Sequence, residues 1–354
     1  MGSNASASGV TRDVGRRTRV AWKVSGKVVL FLCAGLFSLT GCKANSDEAH
    51  GAAAGNPAAV SAATPSRAGQ GGADNAPAPE STGGFDGKLA FEHVAKQVGF
   101  GPRPSGSQAI AQTQDYILTQ LKSDGCTTEV DAFNADTPIG RLPMKNILVK
   151  IPGDDSSIIL LGTHYDSLLR HDITFVGADD SASSTAVMLE LARLLCSKHG
   201  KHAVWIAFFD GEEAMKSWSE TDSRYGSRQM AARFAASGDI SKIKAFLLAD
   251  MVGSRSLHFA REESSTKSLV DLMWATAARL GYLDIFVNTS SGAQDDHDSF
   301  LKRKVPSMDV IDFDREQDVP FWHTADDTLD KISARSLAIS GHVFLETVTE
   351  LQKK

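Results

Sequence analysis

This sequence of 354 residues lacks a basic surplus: Lys and Arg number 37 against 43 Asp and Glu, a formal net charge of -6. With a pI near 5.9, the chain is excluded as a general nucleic-acid binder, a class that needs a basic footprint. It also lacks internal repeats and coiled-coil heptads, so neither a solenoid nor a long supercoil is expected. Cysteine is scarce, at four residues. Cys33 and Cys42 fall in an N-terminal apolar segment, which leaves Cys126, after Gly125, and Cys196, inside a predicted helix. Export would permit them to pair, but their contexts are unrelated, and two separate buried thiols are the expectation. Large apolar residues are nearly absent between 43 and 84, where Ala, Gly, Pro, Ser and Asn dominate. Such a stretch cannot bury enough surface to fold and is expected to be a flexible tether.

At the N-terminus, Arg16, Arg17, Arg19, Lys23 and Lys27 precede an apolar run over 28–39, and the segment ends in Leu39, Thr40, Gly41 and Cys42. The run is short for a bilayer span, and a charged region before a short apolar one describes an export signal. The ending reads as a bacterial lipoprotein signal over 1–42, with Cys42 lipidated and the protein anchored to a membrane, facing the periplasm or the cell exterior. An ordinary signal peptide with an incidental cysteine is the alternative, and Arg16 with Arg17 also fits the twin-arginine route. After the expected tether over 43–84, residues 85–354 are long enough for one large domain with a single core.

Within that domain the spacing predicts helices over 108–123, 183–197, 223–236, 267–280 and 333–351. Strands are predicted over 126–133, 146–151, 202–209, 244–249 and 305–311, with a buried one around Ile158 to Leu161. Strands alternating with helices imply an α/β fold, a three-layer sandwich whose mostly parallel central sheet is covered by helices on both faces.

Chemistry-bearing residues concentrate after the apolar runs. His164 and Asp166 follow one, Glu212 and Glu213 another, and Asp250 a third; Asp179 and Asp180 precede a helix, and His323 lies in FWHTADD at 321–327. In an α/β sheet, residues at the carboxyl ends of strands face one crevice. Carboxylates with imidazole suit zinc, and of two adjacent glutamates one can hold a metal while its neighbour moves a proton. Each residue also has a structural reading: the Glu pair in a solvated loop, Asp180 as a helix cap, His323 as a surface histidine, and Trp218 and Trp322 in the core.

The segments GTHYDS at 162–167, GADDSA at 177–182 and FFDGEE at 208–213 resemble the M28-type zinc aminopeptidase superfamily. WSETDSRYGSR at 218–228, QDDH at 294–297 and FWHT at 321–324 resemble its glutaminyl-peptide cyclotransferase branch. The similarity runs from about Phe91 to the C-terminus, its first motif being FGPRPSG at 100–106. The resemblance implies a zinc-aminopeptidase-like fold and zinc ligands Asp180, Glu213 and His323. It implies Glu212 as proton carrier, Asp295 as contact to the leaving amide with Asp250 its hydrogen-bonding neighbour, and a pocket including Trp218, Gln294 and Trp322. The substrates implied are peptides or proteins with N-terminal glutamine, cyclised to pyroglutamate with loss of ammonia. His164 and Asp250 match a second metal position in the aminopeptidases; one zinc is favoured, with His164 behind the site, and two stay open. Some animal cyclases carry a disulfide where Thr163 and Thr185 stand here. The alternatives are a metal aminopeptidase hydrolysing the first peptide bond, using Glu212 to activate water, and a non-catalytic tethered binding protein on the same fold.

Overall fold

The computed structural model describes residues 75–313 and 320–354; the expected signal segment with Cys42 and the expected tether up to residue 74 lie outside the described residues. Order begins before Phe85: Pro79–Ser81 form a 3-10 turn, and Thr82 is buried, donating its hydroxyl to the Phe85 carbonyl at 2.7 Å.

Two helices open the domain, α1 (Gly87–Val98) and α2 (Gln108–Ser123). Asp86 caps the first by accepting the amides of Lys88 and Leu89, and Ser107 caps the second by accepting that of Ile110, each satisfying donors that the helix leaves free. A hairpin follows, β1 (Thr128–Thr137) and β2 (Gly140–Ile151), then β3 (Ile158–His164), α3 (Ser184–Leu195), β4 (Ala203–Phe209), α4 (Tyr225–Ser237) and β5 (Ile243–Asp250). The remainder comprises β6 (Phe259–Glu262), α5 (Lys267–Leu280), β7 (Phe286–Ser291), α6 (His297–Leu301), β8 (Ser307–Ile311) and α7 (Ala334–Gln352).

The main sheet has six strands in the order β1-β2-β4-β3-β5-β8. Its β4, β3, β5 and β8 run parallel to their neighbours, whereas β1/β2 and β2/β4 pair antiparallel. The hairpin makes one edge antiparallel and half solvated, while β3 and β8 are buried along their whole length, as parallel strands covered on both faces should be. Alternate residues feed two cores. Ile159 and Leu161 pack with Val187 and Leu191 of α3 and Val343 of α7. Ile158 and Leu160 pack with Met230 and Phe234 of α4 and Phe300 of α6. Small parallel β6 and β7 form a separate two-stranded sheet.

One expectation fails. Cys126 and Cys196 form a disulfide, their Cα atoms 5.2 Å apart, joining the chain after α2 to the end of α3 across 70 residues of sequence. Their sequence contexts are unrelated because the bridge is tertiary: α2 and α3 pack side by side on the same face, which spacing along the chain does not reveal. Closing so long a loop in the unfolded chain contributes about 4 kcal/mol on the chain-entropy account. No disulfide joins Thr163 to Thr185; instead both hydroxyls donate to the His164 carbonyl at 2.9 Å, bracing the end of β3.

Candidate active site

The order β4-β3-β5 sets three strand ends side by side, so His164 at the end of β3 stands between Glu212 and Glu213, just beyond β4, and Asp250, the last residue of β5. Asp180 comes from a wide helical turn, Ala178–Ser183, leading into α3. His323 comes from the loop between β8 and α7. Two glycines permit the tight approaches. Gly177 has φ +52, and a Cβ there would stand 1.9 Å from the Asp180 carbonyl oxygen. Gly211, at φ +75, lets the chain turn from β4 to Glu212 against Met144.

These residues converge in two groups that share Asp180. His323 Nε2 lies 3.1 Å from Asp180 Oδ2 and 3.3 Å from Glu213 Oε1. His164 Nε2 lies 3.2 Å from both Asp180 Oδ1 and Asp250 Oδ1. In each triad the candidate ligand atoms all lie within 4.8 Å of one another. Asp180 therefore turns one oxygen to each imidazole. Asp166, an early ligand candidate, has a different place: its two carboxylate oxygens accept the backbone amides of Glu212 at 3.1 Å and Glu213 at 3.2 Å, and Oδ1 lies 3.4 Å from His164 Nδ1. Asp327 does the same for Asp179 and Asp180, at 2.8 and 3.2 Å. Asp179 accepts the Gly253 amide at 2.9 Å and is turned to the backbone, outside both triads.

The first triad fits zinc on three observations. Its donors, two carboxylates and an imidazole, are those of catalytic zinc sites that leave a fourth position open. Glu213 Oε1 is buried without a hydrogen-bond partner. Burial disfavours a charged His323, yet Glu213 and Asp180 outweigh it and push that imidazole up to about 10, so the group calls for a positive charge at this point.

Above the triad is a cavity of about 410 Å³ lined by Glu212, Trp218, Gln294, Asp295, Trp322 and His323, among others. Trp218 and Trp322 are 39% and 40% exposed, which removes their core reading and makes them walls of the cavity. Trp322 stacks on His323 with ring centroids 4.1 Å apart, and Trp218 Nε1 donates to Gln294 Oε1 at 3.1 Å. The WSETDSRYGSR segment is built to hold this wall. Asp222 accepts the amides of Met215, Lys216 and Ser217, and the buried Arg224 lies over the Trp218 ring while donating to Asp298.

Opposite lies a bank of buried acids. Burial pushes Glu212 well above the ordinary carboxyl range; His164 opposes this, while Asp295, Glu213 and Asp296 add to it. Burial likewise raises Asp250 to about 7, against the pull of His164 and with Asp180 and Asp295 contributing. Asp295 Oδ1 accepts the Asp296 amide at 2.5 Å, and Oδ2 has no hydrogen-bond partner. His297 of the QDDH segment turns away from the cavity, with Nε2 2.8 Å from Ser264 Oγ and 3.3 Å from Glu262.

Two neighbours escaped the sequence reading. Asp309 is a fully buried carboxyl, pushed well up by burial and by Asp295 and Asp250; an acid inside the apolar run of β8 was a legible signal. Arg170 donates Nη1 to the His323 carbonyl at 2.8 Å while its other nitrogens hold Asp172, and no local pattern marks it.

Comparison with known proteins agrees with this arrangement. The sequence profile of Peptidase family M28 matches residues 146–348. A glutaminyl-peptide cyclotransferase of Drosophila melanogaster is 30% identical over 275 residues, covering 69% of this chain and 76% of that protein. The crystal structure of a glutaminyl cyclase from an Acidobacteriales bacterium is similar at 39% identity and a TM-score of 0.72, covering 81% of this chain and 99% of that one. A Zn-dependent exopeptidase from Parabacteroides distasonis has the same fold at 28% identity and a TM-score of 0.69, covering 75% of this chain and 98% of that one. With the triads, the tryptophan-walled cavity and the motif order all in place, the chain belongs to peptidase family M28, in its glutaminyl-peptide cyclotransferase branch.

Proposed function

We propose that this protein cyclises the N-terminal glutamine of peptides or proteins to pyroglutamate with release of ammonia. The observation that carries the reading is the cavity: Trp218, paired with Gln294, and Trp322, stacked on His323, wall a space directly above Glu212 and the Asp180, Glu213 and His323 triad. Two flat indole faces suit the slender amide side chain of glutamine folded back on its own α-amine. A zinc ion held by Asp180, Glu213 and His323 would polarise the γ-carbonyl and offset the negative charge that develops on its oxygen.

The remaining steps fall to the chain's own residues. Glu212 is adjacent to a ligand yet outside the triad, so its carboxylate takes the α-amine proton as the amine attacks the γ-carbon, then gives it to the departing ammonia. Its raised affinity for a proton suits a group that must both accept and donate near neutrality. Asp295, with an unpartnered oxygen, receives the amide nitrogen; burial raises Asp250 to about 7 with Asp295 adding to the shift, so two close charges here are costly. One zinc is the favoured content. His164 is buried outside the cavity lining, within 3.4 Å of Asp166 and 3.2 Å of Asp180 and Asp250, which sets it behind the site.

A second reading has its own observation: His164, Asp250 and the shared Asp180 form a complete second triad, as a two-metal aminopeptidase requires. Mass spectrometry of the products from a peptide beginning Gln-Phe, with the zinc-loaded chain, separates the two. Loss of ammonia with the peptide bond intact is expected; release of free glutamine would establish the peptidase instead.

Export as a lipoprotein anchored through Cys42 belongs to the same proposal, supported by the basic residues, the apolar run and the Leu39 to Cys42 ending. Incorporation of labelled palmitate, abolished in Cys42→Ser, is the expected result, and an unlabelled parent chain would overturn it.

A further inference from the structure

The FGPRPSG segment at 100–106 takes no part in the chemistry above, yet its arginine is among the largest fully buried side chains of the molecule. Arg103 Nη1 donates to the Val176 carbonyl at 2.6 Å and Nη2 to the Gly177 carbonyl at 3.0 Å. Its backbone is fastened reciprocally to Ser167, Arg103 N donating to Ser167 Oγ at 2.8 Å and Ser167 N to the Arg103 carbonyl at 3.2 Å. Ser167 follows directly on Asp166, whose carboxylate carries the amides of Glu212 and Glu213. Gly177 begins the turn that presents Asp180, and its carbonyl also accepts the Ala182 amide at 3.2 Å. Asp327 braces the same turn through the amides of Asp179 and Asp180.

We propose that Arg103 is a positioning residue for the metal centre: its fork fixes the Val176 and Gly177 carbonyls, and thereby the orientation of Asp180, the one ligand common to both triads. The inference rests on the zinc reading above. A guanidinium suits the task because its donors are rigidly spaced and can grip two successive carbonyls at once. Its charge is also placed where it is wanted. Burial lowers Arg103 to about 10, but Asp327, Asp166 and Asp180 sustain it, so it stays cationic at neutral pH behind the carboxylates that cradle and supply the ligands. Removing it would take this partner from the Val176 carbonyl, leave the Gly177 carbonyl with the Ala182 amide alone, and free the turn to rotate Asp180 away from His323 and His164.

The test compares zinc affinity of the parent chain, Arg103→Lys and Arg103→Met by competition with a chromophoric chelator, alongside thermal melts of the metal-free proteins and visible spectra of their cobalt forms. Arg103→Met is expected to weaken zinc binding about 10- to 100-fold, the usual cost of losing a group that orients a ligand, with Arg103→Lys intermediate because it keeps the charge without the fork. The cobalt spectrum should change in both. A merely structural arginine would lower the melting temperature yet leave the zinc affinity and cobalt spectrum of the folded chain unaltered. That outcome overturns the proposal, and it can be read from Arg103→Lys should Arg103→Met fail to fold. Absence of zinc uptake by the parent chain would overturn the zinc reading and this inference together.

Discussion

Two triads of the same composition, two carboxylates and one imidazole each, share Asp180 and meet different surroundings. In one, the His323 side chain is 24% exposed, stacked on Trp322 and open to the cavity. In the other, the His164 side chain is 1% exposed and held among Asp166, Asp180 and Asp250. Like ligand sets thus meet the cavity differently: His323 borders it directly, whereas the second triad reaches it only through Asp180 and Asp250, with its imidazole buried behind them. Donor identity was the same for both, so surroundings decide.

The variants that probe this contrast most strongly lie at the open triad. Glu212→Gln removes the proposed proton carrier while leaving the three proposed ligands, and kcat should fall by about 10² to 10⁴ with zinc content unchanged; substantial turnover would move the role elsewhere. Next comes Asp295→Asn, which keeps the shape of the bank but withdraws one acceptor. A loss of about tenfold in kcat with little change in KM is expected from stopped assays of Gln-peptide turnover, and unaltered kinetics would return Asp295 to a structural role. Trp322→Ala should act on the substrate side, raising KM about tenfold through lost ring contact while zinc stays bound. Normal kinetics there would deny the tryptophan wall its function.

The smallest effect concerns the enclosed triad and pH. Asp250 is raised to about 7 and His164 is raised well above its ordinary value. A group that binds protons more tightly when folded stabilises fully below its unfolded pKa, and that contribution fades as pH rises through the folded pKa. For Asp250 the window runs from the ordinary carboxyl range near 4 up to about 7. Melting temperatures of the metal-free chain should therefore decline from pH 5 to pH 8, and Asp250→Asn should flatten the lower part of that decline. A melting temperature rising over the same interval would contradict the protonation assigned to this triad.

Much of this architecture is legible in the sequence. The helices over 108–123 and 267–280 coincide with α2 and α5, because their apolar spacing and their stop signals, Gly125 and Gly281, are local features. What is not local was missed. The Cys126 to Cys196 bridge depends on two helices meeting in space, and the antiparallel edge made by β1 and β2 depends on pairing that no single strand encodes. Helix α1, a regular helix of 12 residues, was also unseen, as were the short β6 and β7 pair and the irregular turn at Ala178–Ser183. At the site, His164, Asp180, Glu213, Asp250 and His323 were readable from their motifs and strand ends, and the structure brings all five together. The roles of Asp166 and Asp327 were not, since cradling a neighbour's backbone amides leaves no signature in residue type.

The most direct test of the contrast between the triads is the zinc content of three purified proteins, measured by atomic emission after dialysis against metal-free buffer. One zinc per chain is expected in the parent, none in His323→Ala, and one in His164→Ala. Two zinc ions per parent chain, or loss of the metal in His164→Ala with retention in His323→Ala, would contradict that expectation.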